Sequence, residues 1–312
     1  MKRAILAVMV TGALSACGGD GTNPFDDPVK VTDPGTGETE ELSPLDPNTS
    51  ADSKFLFDPE NRLTMNSVEY DAANDQLVIN NLPFDGPDGH YDRYGNHNGA
   101  DFYASQQTAT TGQIQHYAVY VKSGDMAAFA AAGADWVDVG YGGANVRRES
   151  FAFPGGVGEY VYLGTYAGLR TYDGGTGLDL VTGDARLLLD ILDFDPQGGI
   201  QGAITGRITN RDLARADGSG NETWAAGELP DLILNTVSFN SDDGTFDGGT
   251  VTTAPDTTAT DPASGGSEDN LPVDGSYSGM IGGASGENLG ITMVIDRIPG
   301  EREIGVIVGD QQ

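Results

Sequence analysis

Apolar and polar side chains alternate with a period of two over most of the chain after residue 54. This pattern is typical of β-strands with one buried face. Strands are predicted in the C-terminal half at 160–169, 184–194, 200–209, 232–239, 245–251, 275–281, 289–296 and 303–309. Eight antiparallel strands close naturally into a small barrel that side chains fill. We therefore predict an eight-stranded antiparallel β-barrel over 157–312.

The preceding region, 54–156, has its own shorter alternating segments and is predicted to be a smaller antiparallel β domain. Its strands are expected near 62–70, 76–82, 115–121, 136–142 and 146–153. A long polar loop is expected over 85–101 and another over 250–270, where Thr, Asp, Pro and Gly cluster. Two short helices are expected at 125–132 and 222–229, the first between Ser123 and Gly133. The fold class is therefore predicted to be all-β.

The N-terminus has the composition of an export signal. Lys2 and Arg3 precede an apolar run over 4–13, which is too short to span a bilayer. The following letters, LSAC, end at Cys17 and resemble a bacterial lipobox. That resemblance implies a signal peptide over 1–16 and lipidation at Cys17, with the membrane as a partner through the lipid anchor.

The segment that follows the lipobox is predicted to be an acylated, disordered tether over 17–53. It contains five prolines and many acidic residues, with few large apolar side chains. Such a segment buries too little apolar surface to offset the loss of chain entropy. The tether would hold a folded domain away from the membrane.

Acidic side chains outnumber basic ones by 47 to 16, which gives a formal net charge of −31. Because nucleic-acid binding needs clustered Lys and Arg at the phosphates, no nucleic-acid partner is predicted. The single cysteine excludes a disulfide within the chain and a Cys-rich zinc site. Sequence signatures of a nucleophile elbow, a zinc protease, a P-loop and a dinucleotide site are absent. We therefore predict no cofactor and no catalytic residue.

Two polar clusters are candidate cation sites, but no metal site is predicted at either. The first contains the histidines and nearby aspartates of the polar loop, and the spacing of its histidines is not that of a typical metal site: His90, His97, His116, Asp88, Asp92 and Asp101. Asp217, Ser219 and Asn221 resemble the start of a calcium loop, but Glu222 stands where the sharp turn needs glycine. Exposed polar side chains are the favoured interpretation of both clusters.

Candidate ligand-binding residues follow the third barrel strand. Arg207, Arg211, Arg215 and Trp224 form a local cluster in an otherwise acidic chain. Because Trp and Arg are enriched in interface hot spots, these four are the predicted contact residues, together with the loop over 250–272.

The tyrosines of the first predicted barrel strand have two possible roles. Tyr160, Tyr162 and Tyr166 share one face, and aromatic side chains at period two pack more often than they stack on ligands. Packing in the barrel wall is the favoured interpretation, with a stacking platform as the alternative.

The C-terminal residues resemble the closing strands of the barrel domain of transferrin-binding protein B. The motif is GSYSGMIGGASGENLG over 275–290, followed by the apolar strand IGVIVG over 304–309. In the turn only Gly282, Glu287 and Gly290 match the family pattern. The resemblance implies an outer-membrane lipoprotein that binds a host or environmental protein, often in metal acquisition.

The predicted function is therefore an outer-membrane or cell-surface lipoprotein that binds a protein or a small ligand without catalysis. A structural envelope lipoprotein is the main alternative, and an envelope hydrolase that uses Asp190 or Glu287 is the second. The sequence leaves open the identity of the ligand, the leaflet that holds the anchor and the existence of an outer-membrane transporter as partner.

Overall fold

The computed structural model describes residues 29–32, 39–42, 55–56, 67–80, 89–105, 115–134, 139–175, 177–194, 199–218, 220–254, 273–297 and 300–312. Within these ranges the chain forms antiparallel strands joined by turns. Strands β1 (Val29–Thr32) and β2 (Thr39–Leu42) pair as a hairpin inside the predicted tether. The signal peptide, Cys17 and the rest of 1–54 lie outside the described residues. Of the loop predicted over 250–270, residues 250–253 belong to the strand Thr245–Thr253, and 255–270 lie outside the described residues.

The first large sheet is an eight-stranded antiparallel meander. Its strands are β3 (Phe55–Leu56), β4 (Ser67–Asp71), β5 (Gln76–Asn80), β6 (His90–His97), β7 (Ala100–Ser105), β8 (His116–Ser123), β9 (Met126–Gly133) and β10 (Tyr141–Arg148). The order across the sheet is β3, β10, β9, β8, β7, β6, β5 and β4. Strands that follow one another in sequence are therefore mostly neighbours in space.

The second large sheet closes on itself as a barrel. Its strands are β11 (Gly158–Tyr172), β12 (Leu178–Phe194), β13 (Ile200–Arg215), β14 (Ala225–Leu229), β15 (Leu232–Ser238), β16 (Thr245–Thr253), β17 (Val273–Gly282), β18 (Asn288–Arg297) and β19 (Glu301–Gln311). The pairings β12–β13 and β11–β19 close a circuit of eight strands, and β14 is an additional short strand beside β13. The predicted all-β fold with an eight-stranded C-terminal barrel is confirmed.

Both predicted helices are wrong. The alanine-rich segment 125–132 lies in strand β9, whose eight residues are all buried. Five of the eight are alanines, good helix formers, so burial between two strands overrides local propensity here. The segment 222–229 ends in strand β14, which pairs with β13.

The predicted loop over 85–101 is also wrong, because it contains the β6–β7 hairpin. The hairpin turns at Asn98 and Gly99, with backbone φ of 47° and 81°. An Asn-Gly pair with two positive φ angles is the preferred tight hairpin turn. The letters NG were a visible signal for this turn.

Three apolar clusters organise the core. One fills the barrel and contains Tyr162 and Tyr166, both without exposed surface, so the packing interpretation of these tyrosines is confirmed. A second lies between the barrel and the meander sheet, and a third covers the opposite face of the meander. In β19, Ile307 belongs to the barrel interior whereas Val306 and Val308 belong to the cluster between the sheets. This double burial explains the unbroken apolar run in that strand.

Among the described residues, no helix has the length and apolar character needed to cross a membrane.

Candidate ligand-binding cleft

A cleft of about 240 Å³ lies where the β6–β7 hairpin meets the barrel. Its walls come from β6 and β7, from Leu180 on β12, and from the segment 220–224 that leads into β14. Pockets for drug-sized ligands usually measure ~300–1,000 Å³, so this cleft suits a small molecule or a single projecting group.

The aromatic wall of the cleft is built on Trp224. The indole stacks on the imidazole of His97, with ring centroids 3.8 Å apart and planes 8° from parallel. Phe102 of β7 packs against the same indole at 5.7 Å. Two neighbouring strands of the meander sheet therefore hold the ring of Trp224.

A polar contact across the two sheets holds His97 in place. Its Nε2 lies 3.0 Å from Oδ2 of Asp212 on β13. The side-chain amide of Asn98 donates to the same oxygen at 3.0 Å, and the backbone N–H of Gly227 donates to Oδ1 at 2.9 Å. Burial raises the pKa of Asp212, but these hydrogen bonds outweigh it and hold the pKa below its ordinary value. Asp212 is therefore a fixed anion beneath the aromatic wall.

The segment before Trp224 docks against Tyr94 of β6. The backbone N–H of Gly218 donates to the Tyr94 hydroxyl at 3.0 Å. Gly220 has a φ of 72°, and a Cβ at this position would lie 2.7 Å from the Tyr94 carbonyl oxygen. Only glycine fits both the backbone angle and this approach. Gly220 thus lets the segment form one wall of the cleft.

Glu222 contributes the carboxylate of the cleft. Its Oε1 is buried and has no hydrogen-bond partner, although the side chain lines the cavity. Among the described lining residues there is no Lys or Arg. Oε1 is therefore a buried acceptor without a donor among the residues that the structure describes.

Of the four predicted ligand-binding residues, only Trp224 lines the cleft. Arg207 lies on the outer barrel wall, where it pairs with Asp231 at 2.6 Å. Arg215 pairs with Asp179 at 3.0 Å. Both side chains are more than half exposed. The structure therefore does not bring the predicted set together, and ligand contacts by Arg207 and Arg215 stay predictions.

Arg211 is a core residue. Its side chain is 1% exposed, donates to Glu303 inside the barrel and donates to the Pro230 carbonyl oxygen at 2.8 Å. The strand register shifts between Thr209 and Asp212, and Asn210 at this bulge has a φ of 49°. The extra residue reverses the alternation of faces, so Arg211 points inward although Arg207 points outward. Its burial leaves no exposed side chain to offer a ligand.

Members of the first polar cluster make contacts with other side chains. No group of three potential metal ligands occurs in the part of the chain that the structure describes. His97 pairs with Asp212, and Asp101 accepts a hydrogen bond from Arg93. Ser219 of the calcium-like segment lies outside the described residues.

Glu287, a candidate for catalysis, caps the turn between β17 and β18. Its Oε2 accepts from the backbone N–H of Ser285 at 2.6 Å and from the Ser285 hydroxyl at 3.0 Å. Backbone hydrogen bonds, its own N–H first and then that of Ser285, hold the Glu287 pKa below its ordinary value. Glu287, one of the three turn positions that match transferrin-binding protein B, therefore stabilises the turn between β17 and β18.

Sequence reasoning missed Tyr94 and Glu222 as site residues and assigned His97 to a loop. The alternation of apolar and polar residues in β6 is weak, because five of its eight residues are polar or charged and one is Gly. The Asn-Gly turn was the available signal for the hairpin that carries Tyr94 and His97. No local pattern showed that 220–224 would face this hairpin, because the contact joins positions more than 100 residues apart.

Comparison with known proteins returned no matching family profile and no matching curated sequence. Solved structures that are similar include a transferrin binding protein B variant from Haemophilus parasuis Hp5, with 15% identity and a TM-score of 0.35 over 89% of this chain. Isotype 1 transferrin binding protein B from serogroup B Neisseria meningitidis has 14% identity and a TM-score of 0.38 over 92% of this chain. The chain spans 46% and 43% of these two structures, less than half of each.

The N-lobe domain of lactoferrin binding protein B from Moraxella bovis is also similar, with 13% identity and a TM-score of 0.29. The match covers 85% of this chain and all of that domain. The similar structures thus include transferrin-binding protein B, the protein that the C-terminal residues resemble. At these scores the likeness is distant and carries no inference about a ligand.

Proposed function

We propose that this protein is a lipoprotein anchored through Cys17 in the outer membrane, which binds an extracellular ligand without catalysis. The observation that carries the proposal is the cleft at Trp224, where the aromatic wall lies beside a carboxylate oxygen of Glu222 that has no donor among the described residues. Binding sites concentrate where a rigid scaffold positions irregular segments, as the barrel does for 220–224.

The N-terminal sequence supports the anchoring part of this proposal. An acylated Cys17 followed by a tether over 17–53 would leave the folded part, 54–312, free to meet a ligand outside the membrane. Within that part we propose two units, a small β-rich domain over 54–156 and a barrel domain over 157–312. The cleft lies at the junction of the two.

Labelling and protease shaving test the anchor and its location. Cells that express the wild type should incorporate radiolabelled palmitate into the protein, and a Cys17→Ala variant should not. Protease added to intact cells should remove the 54–312 region if the protein is on the surface. Protection of that region in intact cells, with cleavage after lysis, would contradict surface display.

The binding part is tested by capture with purified protein. Wild-type, Trp224→Leu and Leu192→Ala proteins would be immobilised and exposed to growth-medium and extracellular fractions. Leu192 is the matched control, since it is 61% exposed on the barrel and does not line the cleft. We expect a ligand that the wild type and Leu192→Ala retain and Trp224→Leu loses. Equal retention by all three would contradict the assignment of the cleft.

A further inference from the structure

We propose that the cleft binds a compact organic cation, an alkylammonium or guanidinium group, with Glu222 as its counter-ion and Trp224 as its aromatic wall. This inference rests on the proposed ligand-binding function and names the chemical class of the ligand at that site.

The unpaired carboxylate oxygen is the first reason. Oε1 of Glu222 is shielded from solvent and accepts no hydrogen bond from the described protein. Shielded carboxylate oxygens are normally satisfied by donors, because an unmade bond leaves the desolvation cost uncompensated. A positively charged ligand would supply the opposite charge beside this side chain, and its N–H groups would supply the missing donor when the side chain turns Oε1 toward the cleft.

The aromatic surroundings are the second reason. Tyr94 and Trp224 line the same cavity as Glu222. Cations are attracted to the faces of aromatic rings, and tryptophan gives the largest effect. The imidazole of His97 does not oppose this attraction, because Asp212 balances any charge on that ring at 3.0 Å.

Charge is the third reason. No Lys or Arg stands among the described residues that line the cleft, and the whole chain has a formal net charge of −31. A field of this sign concentrates cations near the protein and disfavours anions. The volume of about 240 Å³ suits the end of a lysine or arginine side chain, or a free small amine.

A calorimetric titration of the mature protein tests the class of ligand. The probes are n-butylammonium and ethylguanidinium, with n-butanol as the neutral analogue and butyrate as the anionic one. We expect a cation to bind at least about tenfold more tightly than either analogue, the difference that one charge-assisted hydrogen bond supplies. Weaker binding of the cations with added salt is expected as well.

Variants then test the named residues. Glu222→Gln keeps the shape of the side chain and should weaken cation binding by about tenfold. Glu228→Gln removes an exposed carboxylate from neighbouring β14 and should change the affinity by less than about twofold. Trp224→Phe keeps an aromatic ring and should retain part of the affinity that Trp224→Leu loses. Far-ultraviolet circular dichroism would establish that each variant is folded.

Three results would overturn the proposal: equal affinity for n-butanol and n-butylammonium, unchanged affinity in a folded Glu222→Gln variant, or no binding of either cation. The first leaves the proposed ligand-binding function standing, because the cleft would still bind a ligand that depends on Trp224. A lysine-containing peptide and its acetyl-lysine counterpart distinguish the sources of the cation. Preference for the unmodified peptide over n-butylammonium points to a protein partner, and the reverse points to a free amine.

Discussion

At the residue scale, the barrel encloses a carboxylate that is paired with two guanidinium groups. Glu303 is 2% exposed and accepts hydrogen bonds from Arg170, at 3.1 and 2.7 Å, and from Arg211 and Tyr166. Burial raises the pKa of Glu303, but Arg211 and Arg170 outweigh it and hold the pKa far below its ordinary value. The two guanidinium groups thus share the carboxylate of Glu303.

Replacing this anion is expected to destabilise the barrel. Glu303→Gln removes the carboxylate paired with both buried guanidinium groups and leaves Arg170 with the more distant Glu301, so it should lower the free energy of unfolding by about 3–5 kcal/mol at neutral pH. The control is Glu301→Gln, whose partially exposed carboxylate lies 3.8 Å from Arg170 and should matter by less than ~1 kcal/mol. Denaturant titration followed by circular dichroism measures both. A loss below 1 kcal/mol for Glu303→Gln would contradict the role of the network.

The difference in unfolding free energy between the wild type and Glu303→Gln should also depend on pH. Because the pKa of Glu303 is lower in the folded state than its ordinary value of 4.5, its contribution is complete above that pH. The contribution falls as Glu303 becomes protonated in the unfolded chain. The difference in unfolding free energy between the wild type and Glu303→Gln should therefore shrink as pH decreases below about 4.5. A difference that is constant from pH 7 to pH 3 would contradict this assignment.

At the element scale, close approach of the meander to the barrel depends on small residues. Every second residue of β9 from Ala128 to Ala132 belongs to the cluster between the sheets. On the barrel side, a Cβ at Gly290 of β18 would lie 2.3 Å from Val146 Cγ2 and 2.6 Å from Met126 Sδ. The two sheets are therefore packed too closely here for any side chain at 290.

A single methyl group should test this packing. Gly290→Ala is expected to lower the free energy of unfolding by about 1–3 kcal/mol, since Val146 and Met126 must move. Gly155→Ala is the control, because a Cβ at Gly155 meets no atom within 4 Å. Thermal unfolding of the two variants measures the difference. Equal melting temperatures would show that the sheets can separate without cost.

The strands also show how far a pattern of period two predicts structure. All eight barrel strands were placed from alternation, because each strand has one face in the barrel interior. Alternation failed at Arg211, since the bulge at Asn210 exchanges the two faces. It failed again at β9, where both faces are buried and the sequence shows only alanines and one phenylalanine between its end residues. Burial on both sides removes the polar positions that mark a strand.

At the scale of the whole molecule, the meander and the barrel share one apolar cluster. Phe102 and Val119 of the meander belong to the same buried group as Leu169 and Ile304 of the barrel. Polar contacts across the junction include Asn98 with Asp212 and Arg148 with the carbonyl oxygen of Ile281. Separation of the two sheets would expose this cluster to water.

The barrel alone, residues 157–312, is therefore expected to be less stable and less soluble than residues 54–312. Exposed side chains from the shared cluster should bind a hydrophobic dye and promote self-association. Size-exclusion chromatography and dye fluorescence of the two fragments measure this. A monomeric 157–312 fragment with no dye binding would show that the barrel folds as an independent domain.

The sequence by itself determined the all-β class, the eight barrel strands and the acidic character of the molecule, because alternation and composition are local properties. It also gave the resemblance of 275–290 and 304–309 to transferrin-binding protein B. Only the tertiary structure decided that Arg211 is buried and that His97, Glu222 and Trp224 meet at one cleft. The physical reason is that the first depends on a one-residue bulge and the second on a junction between distant segments. Neither the bulge nor the junction produces a periodic pattern in the amino-acid sequence.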